Sequence, residues 1–392
     1  MDPLWLLLLL PLAVLSGWYA ARRDSVPVRD GQSEFNLPSA YFKGLNFLLN
    51  EQPDKAIEVF IKVLELDSET VEMHLTLGNL FRRRGEVERA TRIHQNLIAR
   101  SNLSKSQRLH ALYELGQDYF KAGLFDRAES LFQELSDVPQ HAQQALHYLA
   151  QIYEREKEWK NAINVMHRLA DITKEDKSKV VAHYFCELAQ EKLDSNNYED
   201  AKNLIHRALK EDPHCIRATI QLGDTSFHEE EYRHAIECWR KVIEYDPRFL
   251  GEVIDNIVDG YHRLEDEVGL MQFLTQTLDK AEGPSVLLAL VDEISLRHGR
   301  DKAADFLEER LQNHPSVYGL RRLLELQNGA NSENSQMRAV QILLSSLIDA
   351  EGVYRCRQCG FTGRSLHWQC PGCKGWDTNE PIKEEHVVQA AN

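Results

Sequence analysis

Residues 222–247 read LGDTSFHEEEYRHAIECWRKVIEYDP, and the spacing inside this stretch decides the fold. Gly223 is followed twelve positions later by Ala235, and Ala235 four positions later by Trp239. Apolar residues recur at helical intervals on both sides of the polar run His228–His234, and Pro247 stops the second helical segment. The same frame recurs upstream as Gly44/Ala56, Gly78/Ala90, Gly116/Ala128, Ala150/Ala162 and Ala189/Ala201. A bulky residue stands four after each alanine: Phe60, Phe132, Met166, Ile205 and Trp239, with His94 as the exception. The starts are spaced by 34, 38, 34, 39 and 34 residues.

A helix-turn-helix unit of this period resembles the tetratricopeptide repeat. The physical reason is local. Small residues at a crossing let two helices approach closely, and a bulky residue fills the space beside them. Pro213 and Pro247 end second helices because proline cannot continue one. Downstream, Ala303, Leu307 and Pro315 fit an eighth unit two periods beyond the sixth. The seventh, roughly 250–283, lacks the small-residue pair and reads as irregular. Two further helices near 317–327 and 336–350 read as caps, with a loop over 328–332 between them.

In such superhelical arrays the first helices line an inner groove. The expected groove positions are Asn79, Arg82, Arg83, Tyr113, Gln117 and Phe120, continuing through Gln151, Arg155, Gln190, Asp224 and Phe227. They form a mixed polar and aromatic surface suited to a protein segment. The run Arg82-Arg83-Arg84 reads as a solvated helix face.

Residues 4–21, LWLLLLLPLAVLSGWYAA, carry no charge. As a helix this run would span about 27 Å, close to the hydrocarbon thickness of a bilayer. No basic residue precedes it, so it reads as a retained anchor over 1–21 and not as a cleaved signal. Arg22-Arg23 then place the body on the cytoplasmic side. Residues 22–36 read as a linker.

Cys356, Cys359, Cys370 and Cys373 form two C-x2-C knuckles, while the other three of the seven cysteines are scattered. Two such knuckles complete a tetrahedron of thiolates around one zinc or iron ion. Gly360 and the pair Pro371-Gly372 supply the turns. A closed four-thiolate set leaves no position for water, which argues against hydrolytic metal catalysis. Cys186, Cys215 and Cys238 read as packing residues. The net charge of −15 argues against nucleic acid as a partner. No phosphate loop, G-x-S-x-G or H-E-x-x-H motif is present. The near match His228…His234 places its histidines six apart, off one helical face.

The expected organisation is therefore all-α: a tetratricopeptide-repeat superhelix over 37–315, preceded by a transmembrane helix. Capping helices over 316–350 follow, then a rubredoxin-like or zinc-ribbon metal module over 351–380 and a tail over 381–392. The anchor ending in Gly17-Trp18-Tyr19 and Arg22-Arg23, the repeats, and the ending CRQCGFTG…WQCPGCKGW together resemble the lipopolysaccharide assembly protein B family of Gram-negative bacteria. That resemblance implies a non-enzymatic adaptor at the cytoplasmic face of the inner membrane. It implies regulation of lipopolysaccharide synthesis by promoting FtsH-mediated proteolysis of the lipid A deacetylase LpxC. It further implies an inner-membrane regulator, YejM/PbgA, and lipopolysaccharide assembly proteins as partners. The family's metal ligands fall on Cys356, Cys359, Cys370 and Cys373. Two other readings stand beside it: a rubredoxin-like electron-transfer protein, and a general scaffold for envelope-synthesis enzymes.

Overall fold

The computed structural model describes residues 37–50, 52–66, 71–280, 283–328, 335–350 and 353–382. The expected anchor, the linker, most of the 328–332 loop and the tail from 383 lie outside the described residues. Among the described residues no helix is long and apolar enough to cross a membrane. The chain divides into two compact units, one ending at His141 and one beginning at Ala142.

The first unit holds α1 (Leu37–Leu49), α2 (Pro53–Leu66), α3 (Val71–Arg84), α4 (Val87–Ile98), α5 (Lys105–Lys121) and α6 (Phe125–Ser136). They pack as consecutive antiparallel pairs, and the small-and-bulky frame is the reason. A methyl group added at Gly44 would stand 2.7 Å from the Phe60 ring, and one at Gly116 would stand 2.9 Å from Phe132. The bulky residue of each second helix thus seats on the bare backbone of the first. Ser104 caps α5 reciprocally with Gln107.

The exception, His94, is fully buried beneath Gly78, and its Nδ1 lies 2.5 Å from Asp118 of the next pair. Asp118 also receives Arg82 at 2.8 Å, and Arg82 bonds Glu114 at 2.5 Å. Arg82 is therefore not a solvated residue, as the basic run suggested. Its side chain is 13% exposed and ties α3 to α5. Arg84 does face solvent, paired with Asp54 and Glu86.

The second unit continues with α7 (Ala142–Glu156), α8 (Trp159–Thr173), α9 (Ser178–Asp194), α10 (Tyr198–Glu211), α11 (Ile216–His228) and α12 (Tyr232–Tyr245). Trp239 packs against Gly223, where an added methyl would meet its Nε1 at 2.3 Å. The irregular seventh unit is a 3-10 turn (Pro247–Glu252) followed by short helices α13 (Ile254–Arg263) and α14 (Glu267–Thr277). Here the close approach moves to Gly260, which lies under Ile236 and Trp239 of the preceding pair. Next come α15 (Ser285–His298), α16 (Arg300–Asn313), α17 (Val317–Asn328) and α18 (Ser335–Ala350). Val291, Ala303 and Leu307 are fully buried in the core they share.

Among the described residues three short strands follow: β1 (Tyr354–Cys356), β2 (Thr362–Gly363) and β3 (Asn379–Pro381). They form an antiparallel sheet in the order β2-β1-β3. Ile382 N–H bonds the Val353 carbonyl at 2.8 Å, so pairing runs two residues past the expected end of the module.

Candidate metal centre and its dock

Each cysteine knuckle is built the same way. In the first, Gly360 N–H bonds the Cys356 carbonyl, and Gly360 sits at φ +76. In the second, Lys374 N–H bonds the Cys370 carbonyl, and Lys374 sits at φ +61. Left-handed backbone at these two positions turns each chain sharply enough to bring its cysteine pair together. The tight approach leaves no room beside the sulfurs: a Cβ at Gly372 would lie 3.3 Å from Cys359 Sγ.

The four Sγ atoms all lie within 4.8 Å of one another. Cys356 and Cys373 are separated by 3.7 Å, as are Cys359 and Cys370. A disulfide would require about 2.05 Å. A tetrahedron of sulfurs about 2.3 Å from a zinc ion has edges of about 3.8 Å, so the spacing fits a four-thiolate site. Hydrogen bonds prepare the sulfurs for charge. Thr378 Oγ1 lies 3.3 Å from Cys356 Sγ. This contact, with the N–H groups of Cys359 and Gln358, brings the Cys356 thiol down to about 6. Phe361 N–H also favours the Cys359 thiolate, but burial and the crowding of the other sulfurs outweigh it and push Cys359 up to about 11. Successive thiolates in one place oppose each other, and a cation removes that opposition. His367 stays out of the set, its Nε2 3.2 Å from Ser365 Oγ.

The module's two tryptophans pack far from its chain connection. Trp368 and Trp376 reach α7, α8, α9 and the 3-10 turn, while Phe361 stays beside His367 within the module. Trp376 stacks on His183 at 5.3 Å and meets Trp159 and Tyr184 edge-on at 6.1 and 5.7 Å. Its Nε1 donates to Glu154 Oε1 at 2.9 Å, and Tyr184 donates to the same oxygen at 2.5 Å. Gln369 Nε2 donates to Glu154 Oε2 at 3.3 Å. Trp368 lies between His183 and Phe249, parallel to the latter. Two polar ties complete the contact: Tyr354 donates to Glu252, and Arg248 holds both Asp246 and Glu380. Burial pushes the Tyr184 hydroxyl well above its usual range, and the carboxylate of Glu154 adds to it. His183 falls to about 3, first through burial and then through Arg217 and Lys179.

The expected groove residues divide into two kinds. Arg83, Gln151, Arg155 and Gln190 are exposed, and Gln190 bonds Asp194 and Gln221. The others are engaged within the array. Asn79 accepts from Arg82, and Gln117 donates to Glu114. Tyr113 stacks on His141, Phe120 packs on Phe125, and Phe227 lies against Trp239. Asp224 accepts from Trp239 and Asn256, and burial raises its pKa. The residues that hold the module, Glu154, Trp159, His183 and Tyr184, were not among the expected positions. The available signal was the surplus of tryptophan in so short a module, which says that a dock exists but not where.

The rubredoxin metal binding domain model matches residues 354–381, and the tetratricopeptide repeat model matches residues 113–176 and 186–238. Lipopolysaccharide assembly protein B of Escherichia coli strain K12 is 37% identical over 382 residues, covering 96% of this chain and 98% of its own. The protein of the same name from Haemophilus influenzae is 34% identical over 395 residues, covering 97% and 99%. With this identity over nearly the whole of both chains, together with the repeats and the four-cysteine module, the chain belongs to the lipopolysaccharide assembly protein B family.

Proposed function

We propose that this protein is a membrane-tethered adaptor, with its body on the cytoplasmic side of the inner membrane. In this reading it regulates lipopolysaccharide synthesis by presenting the deacetylase LpxC to the protease FtsH, under restraint by YejM/PbgA. The observation that carries the reading is the module's dock on α7–α9, joined to near full-length kinship with lipopolysaccharide assembly proteins. A closed sulfur set beside a repeat array suits binding. Cys356, Cys359, Cys370 and Cys373 hold one zinc or iron ion, and the ion's chemistry is to cross-link two knuckles that are too small to bury a core of their own. The chain's own residues do the rest: Trp376 and Glu154 fix the module's position, and the exposed Gln151 and Arg155 on α7 face a partner beside it.

The test is the half-life of LpxC in cells depleted of their own family member and supplied with this chain. Wild type should restore rapid, FtsH-dependent turnover. A chain lacking residues 1–21 should fold yet fail at native expression, because tethering raises the effective concentration near membrane partners. Slow turnover with the wild-type chain would contradict the adaptor role.

A further inference from the structure

The second unit contains a cleft of about 490 Å³ among α15, α16, α17 and α18. Arg300 of α16 lines it, with Arg321, Arg322 and Glu325 of α17. Three guanidinium groups and one carboxylate thus meet in a chain whose net charge is −15. The three arginines are not equivalent. Arg322 is committed: its Nε and Nη2 donate to Asp292 at 2.9 and 2.6 Å, and its Nη1 donates to Glu325 at 3.1 Å. Arg321 comes no closer to Glu325 than 3.5 Å, through Nε. Among the described residues Arg300 has no partner, and neither do the hydroxyls of Ser295 and Ser345 on the same walls. The N-cap of α16, Gly299, offers no side chain to the first N–H groups of that helix, which therefore remain as donors beside Arg300.

We propose that this cleft binds a phosphomonoester, held by Arg300 and Arg321. A phosphomonoester carries a charge of about −1.5 to −2 at neutral pH, and its terminal oxygens can accept two guanidinium forks at once. Two uncommitted guanidiniums match that charge. A carboxylate or a phosphodiester, with a single charge, would leave one of them unanswered. Glu325 does not fill the cation's place, because its closer bond is to Arg322. Arg322 is in turn fixed to α15 through Asp292, so it acts as a strut that holds the carboxylate aside and sets α17 against α15.

The surroundings of the cleft bear on what carries the phosphate. Leu296, Leu320 and Ile342 are each the chain neighbour of a lining residue, and they are 75%, 40% and 59% exposed. An aliphatic alcohol on the phosphate, as in phosphatidic acid, would add contact with these side chains. A small polar one, as in glycerol 3-phosphate, would use the charges alone.

The test places the full chain in phosphatidylcholine nanodiscs, treats it with phenylglyoxal, and reads the modification rate of each arginine by peptide mass spectrometry. The probes are glycerol 3-phosphate in solution and phosphatidic acid in the bilayer, with phosphatidylglycerol as the phosphodiester control. A phosphomonoester should slow modification of Arg300 by roughly tenfold once it exceeds ten times its Kd, and leave exposed Arg83 unchanged. Protection by glycerol 3-phosphate makes the charges sufficient; protection by phosphatidic acid alone assigns the aliphatic side chains to a lipid. Arg321→Gln should abolish the protection, and Arg321→Lys should keep part of it, since the charge remains and the fork does not. Circular dichroism checks that both variants fold, and the wild-type comparison needs neither of them. The proposal fails if neither phosphomonoester protects Arg300, or if phosphatidylglycerol protects it as well as phosphatidic acid does. It fails equally if Arg321→Gln keeps the full protection.

Discussion

Removing the Glu154 carboxylate strands two donors at once, the Trp376 indole and the Tyr184 hydroxyl. Buried donors left unpaired cost about 1–3 kcal/mol, roughly ten- to a hundredfold in the ratio of docked to undocked module. Glu154→Ala should therefore speed amide exchange across the module, while Glu154→Gln, which keeps one acceptor, should do so less. Equal protection in all three proteins would mean the rings alone hold the dock. His183 adds a pH dependence. Docked, its pKa is about 3; released into water it returns toward 6.5. Its docked pKa is depressed, so the undocked state binds the extra proton, and docking is undiminished only above pH 6.5. It weakens as pH falls from there toward 3, by about tenfold, or ~1.4 kcal/mol, at pH 5.5. Tryptophan fluorescence at pH 7.5 and 5.5 should report this in wild type and much less in His183→Phe. An identical pH response in the variant would place the effect elsewhere. None of these three residues was legible as a site: Glu154 and Trp376 stand 222 positions apart, and no local period links them.

The repeat frame was legible because its partners stand only sixteen residues apart, close enough for spacing alone to pair them. Gly223 and Trp239 show the strength of that constraint. Gly223→Ala would drive a methyl to 2.3 Å from the indole nitrogen, whereas Gly283→Ala would meet nothing within 4 Å. Overpacking of this kind costs about 1–3 kcal/mol. Thermal denaturation should show a clear loss for Gly223→Ala and almost none for Gly283→Ala; a similar loss for both would sink the close-packing account. Arg82 shows where pattern reading stops. Its basic run looks solvated, but its partners Glu114 and Asp118 lie one repeat away, at a depth that only the packed helices define. Asp224 and Tyr113 likewise face neighbours that the helical period does not name.

At the scale of the molecule, the C-terminal knuckles were legible as chemistry and illegible as architecture. Two C-x2-C pairs specify a sulfur set wherever they occur. Nothing in residues 353–382 says that Trp368 and Trp376 reach back to helices more than a hundred residues upstream. The metal-held module is a structural part of the second unit, seated on α7–α9. Amide hydrogen exchange of metal-loaded wild type against Cys370→Ser tests it most directly. Protection should be lost over residues 354–381 and over Val181–Cys186 of α9, with α17 and α18 unchanged. Unchanged protection at α9 in the variant, or a loss confined to α17 and α18, would contradict it.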